Sequence, residues 1–156
     1  LGFPMGIFEL ADFTGMDVIH KATVEMHLRD KKVISPHPLV EKMFDEKKLG
    51  QKSGEGYYKY SDDKYERVAL SEELAAKCNP IQIVANILNN AAWLITNGAS
   101  DIEEIEKAAQ LGLGLKKPLF ETAKEIGIKK IVDELSKLAE EHGEFYKPDP
   151  LLVSMQ

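Results

Sequence analysis

The stretch whose composition most invites a phosphate is Gly50-Gln51-Lys52-Ser53-Gly54-Glu55-Gly56. A phosphate-binding P-loop has the form G-x-x-x-x-G-K-S/T, and counted back from Gly50 its first glycine falls on Asp45. A dinucleotide fingerprint starting at Gly54-x-Gly56 places its third glycine at Lys59, with no strand before it. The loop therefore reads as a turn. Lys52 and Ser53 remain able to offer a cation and a hydroxyl to a phosphate carried by another domain.

Other reactive side chains are scattered. His20 and His27 stand seven residues apart without a third ligand at helical spacing, so no metal site is expected. His37 lies between two prolines and His142 near a helix end, both as surface residues. Cys78 has no second cysteine and no neighbouring base. Trp93 falls on the most apolar helix and is expected in the core. Glu9 and Glu121 each follow a phenylalanine in a short apolar helix, which suggests a structural hydrogen bond to backbone donors in both places. No acid–base pair, activated nucleophile or metal cage emerges. No catalytic residue is assigned.

The frame for these residues is a chain of 156, with 44% hydrophobic and 29% charged residues, which is a globular composition. Twenty Lys and Arg are interleaved with 26 Asp and Glu, giving a net charge of −6 and arguing against a nucleic-acid partner. No apolar run approaches a bilayer span, and no membrane association is expected. The single cysteine fits a reducing, cytoplasmic setting. There is no initiator methionine.

Apolar spacing predicts helices nearly throughout. Val18, Ile19, Ala22 and Met26 make one face, and Leu39, Val40, Met43 and Phe44 another after Pro36 and Pro38. Ile81 to Ile95 reads as a central buried helix ended by Asn97-Gly98. Ser100 with Glu103 suggests the cap of the next helix, running to the Leu111-Gly112-Leu113-Gly114 break. Ile126, Ile131, Leu135 and Leu138 mark a last helix, and the stretch from Pro148 to Gln156 reads as a tail or linker. Only Leu49 to Tyr60 and the segment from Gly143 read as non-helical, so the expected class is all-α.

A repeat organises these helices. Leu1–Ile19 set over Leu113–Ile131, an offset of 112, gives seven identities in nineteen ungapped positions, including Gly15/Gly127, Phe8/Phe120 and Glu9/Glu121. Copied glycines and a copied glutamate exceed what two amphipathic helices share by chance, so two related units are expected, residues 1–66 and 67–156. The helices from Ile81 to Leu111 precede the shared motif in the second unit. The first unit, partial by this reading, lacks their counterparts.

At Leu1-Gly2-Phe3-Pro4-Met5-Gly6-Ile7-Phe8-Glu9-Leu10 the chain resembles the G-x-P-M-G-P-F-E-L segment of 3-hydroxyacyl-CoA dehydrogenase C-terminal domains. Asp12-Phe13-Thr14-Gly15-Met16-Asp17 is similar to that family's D-x-x-G-L-D. Lys48 to Tyr60 resembles its closing K/R-L/F-G-x-K-T/S-G-x-G-F/Y-Y-x-Y. The second half resembles the duplicated helical domain of the longer fatty-acid-oxidation members.

The resemblance implies an all-α fold of the 6-phosphogluconate-dehydrogenase C-terminal-like kind, with the first repeat truncated at its N-terminus. It implies an NAD-dependent oxidoreductase of β-oxidation, in which an N-terminal Rossmann domain binds NAD and carries the catalytic histidine–glutamate pair. No residue here matches that pair. The helical part caps the acyl-CoA substrate and forms a homodimer. By motif, Lys52 aligns with a lysine reaching toward NAD, while Pro4 and Met5 fall beside the acyl end of the substrate. Ile7 departs from the usual proline, and Lys116 and Lys117 replace Pro4 and Met5 in the second copy, which reads as scaffold. The competing reading is a helical interaction module with no catalytic role. A strand and G-x-G-x-x-G turn encoded upstream separate the enzyme from the module.

Overall fold

The computed structural model describes residues 4–62, 64–65 and 71–156. Leu1–Phe3 of the first motif, and the expected division between residues 66 and 67, lie outside the described residues. The chain divides into two compact units, Met5–Leu70 and Ser71–Gln156, the latter taking Leu1–Pro4. The fold is all-α, and among the described residues no helix is long and apolar enough to cross a membrane.

In the unit Met5–Leu70, α1 (Ile7–Thr14) turns at Gly15 into α2 (Met16–Arg29), and α3 (Pro38–Asp45) packs against α2. His37 caps α3 by accepting the Leu39 N–H at Nδ1, and Pro38 takes the first helical position, where no N–H is needed. A 3-10 turn at Gln51–Ser53 and a two-stranded antiparallel hairpin, β1 (Tyr60–Ser61) with β2 (Lys64–Tyr65), complete the unit. Strands of two residues are too short to show alternation in sequence. The expected apolar face of α2 has a different fate: Met16 is buried, whereas Val18 and Met26 are exposed.

The unit Ser71–Gln156 contains α4 (Glu72–Ala75), α5 (Pro80–Thr96), α6 (Ile102–Leu113), α7 (Leu119–Ile126), α8 (Ile128–His142) and α9 (Pro150–Ser154). α5 starts on the Asn79 side-chain cap and buries Val84, Ala85, Leu88, Ala91 and Ala92 against α7, α8 and α9. Trp93 departs from the expected core placement: it is 56% exposed, because it projects beside that stripe rather than along it. α6 is capped by Asp101, one residue after the expected Ser100, with the Glu104 N–H donating to its carboxylate.

The segment expected to be a tail is part of the core. Leu152 on α9 is wholly buried, and Asp149 caps α9 through the Leu151 N–H at 2.9 Å. The last predicted helix begins after Gly127, since Ile126 closes α7.

The two helix corners share one geometry. Gly15 (φ 100°, ψ 133°) separates α1 from α2, and Gly127 (φ 101°, ψ 111°) separates α7 from α8. Each glycine N–H bonds back to an alanine carbonyl, Ala11 and Ala123 respectively. Positive φ at both corners explains why glycine recurs there.

Candidate functional site

The Gly-rich loop is built around one buried carboxylate. Asp12, on α1, is 1% exposed and accepts the Tyr57 N–H at 2.8 Å, the Tyr58 N–H at 2.9 Å and the Tyr60 hydroxyl at 3.0 Å. A Cβ at Gly56 would overlap that carboxylate, so only glycine permits the loop to close on it. Burial first, and then the Asp12 carboxylate, push the Tyr60 hydroxyl above its ordinary pKa. Tyr65 donates its hydroxyl to Glu9, and Phe8 lies against Tyr57 with ring centroids 4.6 Å apart.

Ser53 fixes the turn from within. Its hydroxyl accepts the Leu49 N–H at 2.8 Å and faces the carbonyls of Gly50 at 3.0 Å and Glu55 at 2.9 Å. The hydroxyl read in sequence as available to a phosphate is thus engaged by its own loop.

Lys52 points differently. Its side chain is 45% exposed and its ammonium pairs with Asp17 in the first turn of α2, beside Gly15. The hydrogen bond from Lys52 is the main reason the Asp17 carboxyl lies below its ordinary 3.8. A depressed folded pKa means that this pair supports the fold above the ordinary value and is lost as pH falls through the depressed one. In Lys52→Met the Asp17 carboxyl is expected to titrate at a higher pH than in the parent chain, followed by carboxyl NMR. An unchanged midpoint would show the pair to be absent in solution.

The remaining candidates have structural partners. Pro4 is exposed and lies near Gly114, and Met5 is half-buried just before α1. His20 stacks on Phe44 at 4.3 Å, and the His27 Nδ1 meets the Val33 carbonyl at 2.5 Å. Glu9 does accept a backbone donor, the Gly6 N–H at 2.5 Å. Glu121 does not follow it: it is exposed, and the donors at the head of α7 go to Glu106 of α6 instead, Phe120 N–H at 2.8 Å. Asp12 and Glu106 were not singled out by residue type. An acid among apolar residues on the inner side of a short helix was the available signal for Asp12.

The arrangement can do three things. It holds a cation at a rigid turn, it presents an apolar turn at Pro4-Met5, and it closes the aromatic loop on α1. Among the described residues it offers no nucleophile–base pair, and no cluster of three His, Cys, Asp or Glu side chains suits a metal ion.

Comparison with known proteins gives a consistent family. The family model described as 3-hydroxyacyl-CoA dehydrogenase, C-terminal domain, matches residues 1–60 and 82–156. The mitochondrial hydroxyacyl-coenzyme A dehydrogenases of Sus scrofa and Homo sapiens are each 41% identical over 61 residues, 38% of this chain and 19% of theirs. The chain thus spans about a fifth of the length of these curated relatives. The crystal structure of 3-hydroxybutyryl-CoA dehydrogenase from Escherichia coli superposes with a TM-score of 0.76 at 20% identity, covering 99% of this chain and 51% of that one. The dehydrogenase part of multifunctional enzyme 1 from Caenorhabditis elegans gives 0.64 at 21% identity, covering 98% and 39%. At these identities the two superpositions establish the fold.

Proposed function

Because the chain belongs to the 3-hydroxyacyl-CoA dehydrogenase C-terminal domain family, we propose that it is the substrate-capping and dimerising part of an NAD-dependent 3-hydroxyacyl-CoA dehydrogenase. The complete enzyme oxidises a 3-hydroxyacyl-CoA to the 3-oxoacyl-CoA of fatty-acid metabolism, and its Rossmann domain lies elsewhere in the same polypeptide. The supporting observation is the placement of Lys52: a cation half open to solvent on a turn fixed by Ser53 and tied to α2 by Asp17.

A bound NAD would supply the hydride acceptor for C3 of the substrate, with Lys52 at its edge, and a base on the Rossmann domain would take the hydroxyl proton. Lys52 fits an accessory role, an ammonium at the edge of the cofactor, and the described residues supply no Gly-rich strand-to-helix turn to hold the nucleotide by themselves. Pro4 and Met5 offer an apolar turn beside the acyl group. Such a turn excludes water and orients the substrate without entering the chemistry. A cytoplasmic setting goes with this reading.

The test is steady-state NADH formation from 3-hydroxyacyl-CoA by the full-length protein and by residues 1–156 alone. Turnover is expected from the first and none from the second. Lys52→Ala in the full-length protein is expected to raise KM for NAD about twofold to fivefold with kcat nearly unchanged, the scale of an exposed ionic contact. Robust oxidation by residues 1–156, or a fall in kcat alone for Lys52→Ala, would overturn the division of labour.

A further inference from the structure

One asparagine in the chain, Asn97, precedes a glycine. That dipeptide is chemically weak, because the glycine nitrogen has no Cβ beside it to keep it from the asparagine side chain. Here it ends α5, and the fold closes it. Asn97 is the C-cap, and Gly98 follows in the left-handed region at φ 68°. The Gly98 N–H donates to the Ile95 carbonyl at 3.0 Å and the Ala99 N–H to the Leu94 carbonyl at 2.9 Å, the paired bonds that finish a helix on a left-handed glycine. The Asn97 Nδ2 donates to the Trp93 carbonyl at 2.8 Å. Both reacting groups are thus engaged, and at ψ 6° the Gly98 nitrogen stands away from the Asn97 Cβ.

One residue earlier, this helix end is fastened to its own unit. Thr96 donates its hydroxyl to Asp149 Oδ1 at 2.6 Å, and the buried Asp149 is the residue that caps α9. Release of α9 removes that hold on the last turn of α5. Asn97 and Gly98 are exposed, so water reaches them as soon as the turn frays.

We propose that Asn97–Gly98 is a latent deamidation site, held closed while α9 is docked and opened when α9 lets go. In the frayed turn the Gly98 nitrogen gives its proton to hydroxide and attacks Asn97 Cγ. An N–Cγ bond forms, the Cγ–Nδ2 bond breaks, and ammonia leaves with a proton from water. Water then opens the cyclic imide at either carbonyl, to aspartate or to isoaspartate, and nothing is oxidised or reduced.

Neither product refits the helix end. Each loses the donor to the Trp93 carbonyl and puts a carboxylate at the negative end of α5. Isoaspartate also adds a methylene to the backbone just before Gly98, which shifts the Gly98 and Ala99 N–H groups off their carbonyls. A transient release of α9 becomes a lasting loosening.

The test is peptide mapping for isoaspartate in full-length protein aged at neutral pH. Formation at residue 97 is expected to be about tenfold or more slower in the folded protein than in the same protein unfolded in urea. Thr96→Val, which loses the bond to Asp149, is expected to speed it about threefold to tenfold, the extra opening that follows the loss of one hydrogen bond. Thr96→Ser keeps the hydroxyl and should restore the parent rate. In protein carrying isoaspartate at residue 97, amide exchange at Gly98, Ala99 and Leu151 is expected to be faster than in the parent. Equal rates in folded and unfolded protein would overturn the closed site. A Thr96→Val rate equal to that of the parent, or a Thr96→Ser rate as fast as that of Thr96→Val, would overturn the hold through α9. Unchanged exchange in the isoaspartate form would overturn the lasting effect.

Discussion

Replacing Asp12 with alanine is expected to weaken the first unit by about 3–5 kcal/mol, the largest single-residue effect in it. The carboxylate is almost fully buried and accepts three donors, the N–H groups of Tyr57 and Tyr58 and the hydroxyl of Tyr60. Alanine leaves all three without an acceptor, and an unsatisfied buried donor costs about 1–3 kcal/mol. Water reaches Tyr57 and Tyr58 in part, which keeps the total below the sum of three full penalties. Asn at position 12 keeps one acceptor oxygen but turns its amide toward the other donor, so its loss should be about half as large. The measurement is a urea midpoint with unchanged slope, together with faster exchange at the Tyr57 and Tyr58 amides. A change of less than about 1 kcal/mol for Asp12→Ala would mean that the loop closes without the carboxylate.

Asp12 also shows where sequence reasoning stops. Helices were readable because apolar residues recur every three or four positions, and that rule acts within one helix. Glycine stands at the same place in both copies because a positive φ requires it there, yet apolar spacing alone runs Ile126 through the second corner into the last helix. The partners of Asp12 lie 45 to 48 residues away, and no local pattern announces them. Ser53 misled for a related reason: a hydroxyl in a Gly-rich loop looks available until the backbone donors and acceptors that surround it are placed.

Trp93 and the C-terminal segment fail in opposite directions. α5 is apolar over more of its circumference than its neighbours cover, so periodicity located the helix but could not say which apolar residues would be left outside. Pro148 and Pro150 resemble linker composition, yet Pro150 sits at the first position of α9, where proline is favoured, and Leu152 completes the core. Glu121 was expected to repeat the role of Glu9, but Glu106 supplies the acceptor from a neighbouring helix. Local identity between the repeats therefore preserved the corner and not the capping group. Lys52 was legible as a cation in a Gly-rich loop, and its place toward NAD only through resemblance; its exposure and its Asp17 partner are contributions of the fold.

The buried amide of Asn89 permits a prediction in which pH decides the outcome. Its Nδ2 donates to the Lys147 carbonyl at 2.9 Å and its Oδ1 accepts the Asp149 N–H at 2.8 Å, tying α5 to the start of α9. Asn89→Asp replaces the donor with a second acceptor, aimed at the Lys147 carbonyl. A charged, unpaired carboxylate there is expected to cost about 3 kcal/mol or more at neutral pH. Protonation restores a donor toward Lys147, so the folded pKa of the new acid lies above its unfolded value of about 3.9. The stability of the variant should then approach that of the parent at and below the unfolded value, and fall as pH rises toward the folded one. Asn89→Leu, with nothing to titrate, should lose stability by a similar amount at every pH. Chemical unfolding read at Trp93, on the same helix, separates the two. A loss for Asn89→Asp that stays flat with pH would show that its carboxylate has turned to solvent and that the amide does not hold the C-terminal helix in place.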